Sequence, residues 1–275
     1  MYFQLRQCAV AVFGPPATFS AAAPKGFMAC LLRLTLQLAP QSFQAATSGR
    51  IDGPMRTQKL IWPELWRAAM HDNTSDNVLQ GYATASADLI VRYEEVLPLE
   101  LYAPVIELLP SSPARIVDIG AGTGRDAAWL AAQGHDLVAV EPVDEFRHAG
   151  MALHKSNKIA WLNDRLPHLS QLRERKQRFD RVLLTAVWHH LHDPQRCAAL
   201  PILAELTAPD EMLIMSLRHG PGASGRQVYP VHPEHTIREA SRTGFRLAKE
   251  YHATSKQAKN RDAGVYWTWL AFGFL

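Results

Sequence analysis

The chain changes its hydrophobic pattern at regular intervals from Tyr82 onward. Apolar residues three and four positions apart predict helices over residues 83–97 and 99–109. Short apolar runs then alternate with amphipathic stretches, which predicts strands and helices in turn. The predicted strands, one of them with its exit loop, are 114–120, 136–142, 158–164, 179–191, 211–220, 245–254 and 264–274. The predicted helices are 125–134, 144–155, 168–177, 193–209 (interrupted or bent at Pro201) and 232–244.

This alternation indicates an α/β fold with a mostly parallel sheet that helices cover on both faces. The last two predicted strands have no predicted helix between them. Parallel neighbours need a long crossover connection, so we expect these two strands to pair as an antiparallel hairpin at the sheet edge.

Residues 1–69 follow a different pattern, rich in Ala, Pro, Ser and Gln, with one helical stretch over 27–39. Three interpretations stay open: a flexible extension, a small helical lid, or sequence upstream of a start at Met70. We therefore divide the chain into an N-terminal extension over 1–69, flexible or partly helical, a helical lid segment over 70–110, and the α/β domain over 111–275.

Composition adds few constraints. Hydrophobic residues make up 47% and charged residues 20% of the 275 positions, which is typical of a globular protein. The net charge of +3 comes without a run of like charges, and no apolar run reaches the length of a membrane span. The start of the chain resembles a signal peptide only faintly, because its apolar part, residues 8–13, is short and Arg6 is its one basic residue, so we expect no secretion. Three scattered cysteines favour a reducing, cytoplasmic location and give no zinc signal.

The candidate chemistry lies in VDIGAGTGRDAAWLAAQGHDLVAVEP, residues 117–142. Gly120, Gly122 and Gly124 follow the first strand of the domain, Asp118 precedes them, and Glu141 ends the next strand. A loop without Cβ atoms lets a ligand approach its backbone, and the following helix directs unpaired N–H groups to the same place. Ligands of open α/β sheets bind at such carboxyl ends of strands.

Two kinds of ligand use this arrangement. A dinucleotide motif, G-x-G-x-x-G/A, fits formally from Gly122 to Ala127. A carboxylate at Glu141 could accept both ribose hydroxyls of either ligand. Asp118 distinguishes them, because its charge would repel a pyrophosphate and attract a cationic amine. The residues therefore favour an amino-acid-bearing nucleoside and leave an NAD-dependent oxidoreductase as the alternative.

From Tyr82 to the C-terminus the sequence resembles the class I S-adenosylmethionine-dependent methyltransferases. The resemblance lies in VDIGAGTG and VAVEP, with looser matches at WLND, TAVWHHL and TGFRL. It implies a Rossmann-like seven-stranded, mostly parallel sheet with an antiparallel C-terminal edge hairpin. It also implies an enzyme that transfers a methyl group from S-adenosyl-L-methionine.

The resemblance assigns roles to individual residues. The glycine loop would pass under the methionine portion of the cofactor, Asp118 would receive its ammonium group, and Asp164 would bond the adenine amino group. Tyr82 and Arg92 lie on the helical segment that folds over the cofactor in this family, and Thr185 ends the fourth strand beside the transferred methyl. The predicted cofactor-binding residues are Tyr82, Asp118, Gly120, Ala121, Gly122, Gly124, Glu141, Pro142, Asn163, Asp164 and Thr185.

A histidine-rich loop follows the fourth strand, with His189, His190 and His192. We predict no metal site, because zinc needs about four ligands and no further Cys or His lies nearby in sequence. His189 or His190 is the candidate catalytic residue, as a general base. The long glycine-rich loop over 218–235 and the helical segment supply the candidate substrate residues, which are Arg92, Arg218, His219 and Tyr229.

The fourth-strand motif TAVWHHL lacks the acidic or Asn-Pro-Pro-aromatic signature of methyltransferases that act on DNA amino groups. We expect no DNA partner and no membrane partner, and a small-molecule substrate as the default. RNA or protein substrates and the oligomeric state stay open. A non-catalytic, cofactor-binding member of the fold is a further alternative.

Overall fold

The computed structural model describes residues 74–274. The predictions on residues 1–69 and on a start at Met70 lie outside these described residues. The helices are α1 Thr74–Thr84, α2 Ser86–Glu94, α3 Pro98–Leu101, α4 Arg125–Ala132, α5 Asp144–Leu153, α6 Ser170–Glu174, α7 Asp193–Leu206, α8 Pro233–Ser241 and α9 Ala258–Asp262. Short 3₁₀ helices span Ala103–Leu108 and Trp188–His190.

The strands form one seven-stranded sheet. They are β1 Arg115–Ile119, β2 Asp136–Val140, β3 Ile159–Leu162, β4 Phe179–Leu184, β5 Thr207–His219, β6 Phe245–Thr254 and β7 Tyr266–Phe274. Their order is β3-β2-β1-β4-β5-β7-β6. The first five are parallel, and β7 pairs antiparallel with both β5 and β6. The predicted mostly parallel sheet with an antiparallel C-terminal hairpin at its edge is confirmed.

The two faces of the sheet explain the apolar runs in the central strands. In β1, Val117 and Ile119 face one hydrophobic core, while Ile116, which precedes Val117, faces a second core. A strand covered on both faces reads as a continuous apolar run rather than an alternating one. The strand order reverses at β1, because β2 and β3 lie on one side of it and β4 and β5 on the other. The carboxyl ends of β1 and β4 therefore flank the crevice where such sheets bind ligands.

Several predicted elements differ in detail. The helix α9 lies between β6 and β7, where we expected no helix. Residues 99–109 form part of the short helix α3 and a 3₁₀ helix instead of one longer helix, with prolines at the starts of both. Helix α7 continues through Pro201. Strand β5 begins at Thr207, four residues before the predicted start, and Asp210 near its beginning has a left-handed φ of 63°.

Helices α1 and α2 pack over the beginning of α5. A small apolar cluster joins them through Leu89 of α2 and Val143 and Phe146 beside the end of β2, with Tyr82 and Tyr93 against it. This packing brings the helical segment to the carboxyl edge of the sheet, above the glycine loop. Within residues 74–274, no helix combines the length and the apolar character needed to cross a membrane.

Candidate active site

A cavity of about 330 Å³ lies at the carboxyl edge of the sheet, beneath α1 and α2. It brings together most of the residues that the sequence analysis singled out. Those lining it are Tyr82, Arg92, Asp118, Gly120, Ala121, Gly122, Glu141, Pro142, Asp164, Thr185, His189, His190 and Arg218. Four others, Gly124, Asn163, His219 and Tyr229, do not line it.

The glycine loop has a conformation that only glycine adopts readily. Gly120, Gly122 and Gly124 have φ values of 76°, 57° and 72°. A Cβ at Gly120 would lie 2.4 Å from Cγ2 of Val187, and one at Gly124 would lie 2.4 Å from the Trp161 ring. Gly120 and Gly124 are therefore required for close packing, whereas a Cβ at Gly122 would come no closer than 3.6 Å to the Tyr93 ring. The backbone of Gly120 and of Gly122 lines the cavity.

Asp118 lies at the end of β1 with only 2% of its surface exposed. Burial raises the pKa of its carboxyl well above the usual value, and the neighbouring carboxyl of Asp126 adds to the rise. Arg125 opposes it from the start of α4, where the guanidinium pairs with Asp126 at 2.6 Å. No hydrogen bond to the Asp118 side chain occurs among residues 74–274. A buried carboxylate without a partner is a costly group that a cationic ligand would stabilise.

Glu141, at the end of β2, ties the second strand to the glycine loop. Its Oε2 accepts a 2.7 Å hydrogen bond from the N–H of Gly122, and Oε1 accepts one of 2.8 Å from the N–H of Val143. Burial raises its pKa to about 7 despite these two donors. Oε2 thus contacts the glycine loop that the sequence pattern linked to Glu141, while Oε1 contacts the backbone just before α5.

Asp164 follows β3 and also lines the cavity, but both of its oxygens have backbone partners. The N–H groups of Arg165 and Leu172 donate to it at 2.8 and 2.9 Å, which ties the loop to α6. Asn163 beside it is exposed, and its carbonyl accepts a hydrogen bond from Gln171. The Asn163-Asp164 pair therefore holds the turn between β3 and α6 through hydrogen bonds to the backbone and to Gln171.

Two contacts that the sequence did not predict join the helical segment to the glycine loop. Arg125 donates a 2.5 Å hydrogen bond to the carbonyl of Tyr93, and Glu94 accepts one from the hydroxyl of Thr123. Glu94 also pairs with His154 at 3.1 Å. Arg125 and Thr123 belong to the glycine motif itself, which was the one available signal for these contacts.

His190 has hydrogen-bond partners on both ring nitrogens. Nδ1 lies 2.7 Å from the carbonyl of Gln227, and Nε2 lies 2.7 Å from the hydroxyl of Tyr82. A carbonyl only accepts, so the neutral ring carries its proton on Nδ1 and accepts at Nε2 from Tyr82. Burial, opposed in part by the Gln227 contact, lowers the pKa of His190 to about 4.

His189 is more deeply buried, with 3% of its surface exposed. Its ring packs against that of His190 at 4.1 Å and edge-on to Trp267 at 6.0 Å between centroids. Its Nδ1 has no hydrogen-bond partner among the residues described. Burial, together with the positive charge that His190 would carry, lowers its pKa well below the usual value.

The remaining candidates lie elsewhere. His219 and Tyr229 line a second cavity, where Nε2 of His219 lies 2.9 Å from the Thr268 hydroxyl. Strand alternation explains the difference for His219, because Arg218 and His219 point to opposite faces of β5. In the part of the chain that is described, no group of three or more His, Cys, Asp or Glu side chains could hold a metal ion.

The sequence of the domain that holds this cavity matches a known protein family. Residues 93–250 match the family described as a methyltransferase domain, which is more than half of the chain. The chain belongs to this methyltransferase family. The resemblance expected from the glycine and acid motifs is confirmed, and the match favours a methyltransferase over the NAD-dependent alternative.

Curated relatives of this methyltransferase are themselves described only by family. An uncharacterized methyltransferase of Mycobacterium tuberculosis is 33% identical over 103 residues, which is 37% of this chain and 39% of the relative. One from Staphylococcus carnosus is 24% identical over 141 residues, 51% of this chain and 61% of the relative. The chain thus spans about two fifths to three fifths of the length of the relatives it matches.

Solved structures share the fold of this methyltransferase. The 1,6-didemethyltoxoflavin-N1-methyltransferase of Burkholderia thailandensis, with bound 1,6-didemethyltoxoflavin and S-adenosylhomocysteine, aligns with a TM-score of 0.59 and 18% identity. The alignment covers 73% of this chain and 88% of that one. The N-methyltransferase NodS from Bradyrhizobium japonicum with S-adenosylhomocysteine aligns with a TM-score of 0.51 and 17% identity, covering 64% of this chain and 86% of that one. At these identities the likeness concerns the fold.

Proposed function

We propose that this chain transfers the methyl group of S-adenosyl-L-methionine to a small-molecule acceptor. The observation that carries the proposal is the placement of two buried carboxyls, Asp118 and Glu141, beside a loop whose backbone lines the cavity at Gly120 and Gly122. This combination fits a ligand with a cationic amine at one end and a ribose diol at the other.

The residues present fit the cofactor. Asp118 is a buried acceptor without a hydrogen-bond partner among the described residues, which suits the ammonium group. A Cβ at Gly122 would project toward the Tyr93 ring, so a bare backbone leaves this space to the amino acid portion. Glu141 would hold the ribose hydroxyls, and Asp164 and Pro142 lie on the side where the adenine would bind.

The sulfonium of the bound cofactor supplies an electrophilic methyl group, so the chain mainly has to hold and orient the acceptor. Thr185 and the left-handed Ala186 follow β4 and line the cavity, and the Ala186 N–H donates a 2.9 Å hydrogen bond to the Ser216 hydroxyl. Tyr82 and His190 form a hydrogen-bonded pair that can accept a proton from the acceptor as the methyl is transferred. His189 supports the pair by packing.

A small acceptor is supported by the helical segment, which lies over the cavity and is tied to the glycine loop through Arg125 and Glu94. The Burkholderia neighbour is a methyltransferase with the small molecule 1,6-didemethyltoxoflavin bound, which is consistent with this choice. A cytoplasmic location stays a prediction that rests on the scattered cysteines.

Calorimetric titration of the chain with S-adenosylhomocysteine and, separately, with NAD tests the proposal. We expect micromolar-range binding of the first and none of the second. Binding of NAD alone would favour the oxidoreductase alternative and would sink the proposal. Incubation of the loaded chain with a library of small nucleophiles, followed by mass spectrometry for a gain of one methyl group, separates a working enzyme from a non-catalytic member of the fold.

A further inference from the structure

Two arginines line the cavity on the side of β5. Arg218 lies at the end of β5, and Arg226 lies in the loop that follows it. The loop is pressed against α1, since a Cβ on Gly81 would lie 1.9 Å from the carbonyl oxygen of Gly225. This close backbone approach holds Arg226 over the ring of Tyr82, with Cζ 5.0 Å from the ring centroid.

Neither arginine has an ion-pair partner among residues 74–274, whereas arginines such as Arg125, Arg181 and Arg196 do. Nε of Arg226 is buried without any hydrogen-bond partner in the described part of the chain. Burial lowers the pKa of Arg218, and the positive charge of Arg226 lowers it further. Two like charges near each other in a partly buried cavity are unfavourable unless an anion joins them.

The carboxyls of the cavity do not serve as that anion. Asp118, Glu141 and Asp164 lie at the ends of β1, β2 and β3, and no ion pair joins any of them to Arg218 or Arg226 among residues 74–274. Asp126, which also lines the cavity, pairs with Arg125. The cavity is therefore acidic where the cofactor would bind and carries unpaired cations where the acceptor would bind.

An aromatic surface adjoins the two arginines. Trp267 of β7 lies directly across from Arg218 of β5, so the two side chains project from the same face of the sheet. Trp267 and Trp269 line the cavity, and the rings of His189 and Tyr82 border the same space. Flat rings on several sides favour a planar ligand.

From this juxtaposition we infer that the acceptor is a planar aromatic acid, whose carboxylate is bound by Arg218 and Arg226 and whose ring packs against Trp267. The inference rests on the proposed function and specifies the class of its acceptor. The planar forks of two guanidinium groups match the two oxygens of a carboxylate.

The test uses the chain saturated with S-adenosylhomocysteine. The probes are benzoate, salicylate and 2-naphthoate, each compared with its own carboxamide, and phenyl phosphate is measured as a further anionic probe. Ligand-observed NMR gives the affinities. We expect at least one carboxylate to bind about tenfold more tightly than its carboxamide, and Arg218→Gln and Arg226→Gln each to weaken it about tenfold. Arg218→Lys and Arg226→Lys should recover part of the loss. Arg238→Gln, which removes an exposed arginine outside the cavity, is the matched control and should change nothing.

Four outcomes would each overturn the inference. They are equal binding of acids and carboxamides, no binding of any acid, tighter binding of phenyl phosphate than of every acid, and unchanged acid affinity in both glutamine variants. S-adenosylhomocysteine affinity is measured alongside in every variant and should stay at the unsubstituted level. If the unsubstituted chain fails to bind S-adenosylhomocysteine, the proposed function fails, and this result is distinct from a failure of the acceptor assignment.

Discussion

The hydroxyl of Tyr82 donates a 2.7 Å hydrogen bond to Nε2 of His190, across 108 positions of sequence. The Nδ1–H of the same ring is held by the carbonyl of Gln227. The lone pair that a histidine base would use is therefore already engaged. If His190 is the proposed base, a proton from the acceptor reaches it through the Tyr82 hydroxyl or after Tyr82 moves. We therefore propose a proton-transfer role for Tyr82 in addition to its predicted contact with the cofactor.

The first prediction concerns the titration of His190. We expect NMR of the labelled ring to show the Nδ1–H tautomer at pH 7 and a pKa of about 4. Tyr82→Phe should raise this pKa, because the hydroxyl donates only to the neutral ring and so stabilises it. Tyr251→Phe, an exposed tyrosine away from the cavity, is the control. An unchanged pKa in Tyr82→Phe would contradict the hydrogen bond.

A second prediction addresses the ribose subsite. Glu141→Ala should weaken binding of S-adenosylhomocysteine by roughly 10- to 100-fold at pH 8, since charge-assisted hydrogen bonds contribute about 1.5–3 kcal/mol each. Glu145→Ala removes an exposed acid four residues along the chain and should leave the affinity unchanged. Isothermal titration calorimetry measures both. Equal affinities for the two variants would count against the role of Glu141.

The pH dependence of cofactor binding follows from the same residue. Burial raises the pKa of Glu141 to about 7 in the ligand-free chain. Only the ionised carboxylate accepts two hydroxyl donors, so affinity for S-adenosylhomocysteine should fall as pH drops from 8 to 6, by up to tenfold per unit below the pKa. The slope should be shallower in Glu141→Gln. Identical slopes in the two proteins would assign the dependence to other groups.

Two glycine substitutions separate packing from binding. A methyl at Gly120 would clash with Val187 at 2.4 Å, so Gly120→Ala should unfold at a lower temperature. A methyl at Gly122 would meet the Tyr93 ring at an ordinary 3.6 Å, so Gly122→Ala should lose only about 1–2 kcal/mol of stability from its left-handed φ of 57°. Its affinity for S-adenosylhomocysteine should nevertheless fall at least tenfold, since the methyl enters the cavity. Calorimetric melting and titration of both variants check this contrast, and wild-type affinity in Gly122→Ala would refute it.

Sequence periodicity was sufficient to predict the strands of the sheet, because a buried strand shows itself as a local run of apolar residues. Ile116 and Val117 belong to a run that only a strand covered on both faces explains. Helix α9 escaped prediction because its five residues, Ala258–Asp262, bury nothing and so leave no periodic signal. Asp210, left-handed within a strand, likewise has no local pattern that marks it.

The site was predictable where one motif carries several of its residues, and less so where distant segments meet. Asp118, Gly122 and Glu141 lie within 24 residues, and the structure gathers them around one cavity. Arg226 and Trp267 depend on how a loop and the last strand fold back, which no short motif encodes. His219 failed to join its neighbour Arg218 at the cavity because adjacent strand residues face opposite ways.

The last prediction concerns the cost of keeping Asp118 buried. Its pKa is higher in the folded chain than in the unfolded one, chiefly through burial and then through Asp126. A carboxyl with a raised pKa favours folding while it is protonated, so the stability it contributes is complete below about pH 4 and is lost as pH rises through the folded pKa. Asparagine does not ionise and keeps that stability at every pH.

Asp118→Asn should therefore raise the melting temperature of the ligand-free chain at pH 8 by at least about 2–4 °C, the shift that 1 kcal/mol produces in a domain of this size. The difference should shrink toward zero at pH 4. The exposed variant Asp88→Asn should show no such gain. The same Asp118→Asn substitution should weaken S-adenosylhomocysteine binding, because the amide no longer offers a charge to the ammonium group. If the melting temperature of Asp118→Asn at pH 8 equals or falls below that of the unsubstituted chain, the folded chain itself stabilises the ionised Asp118. The unfavourable burial of its charge would then not be the feature that selects a cationic ligand.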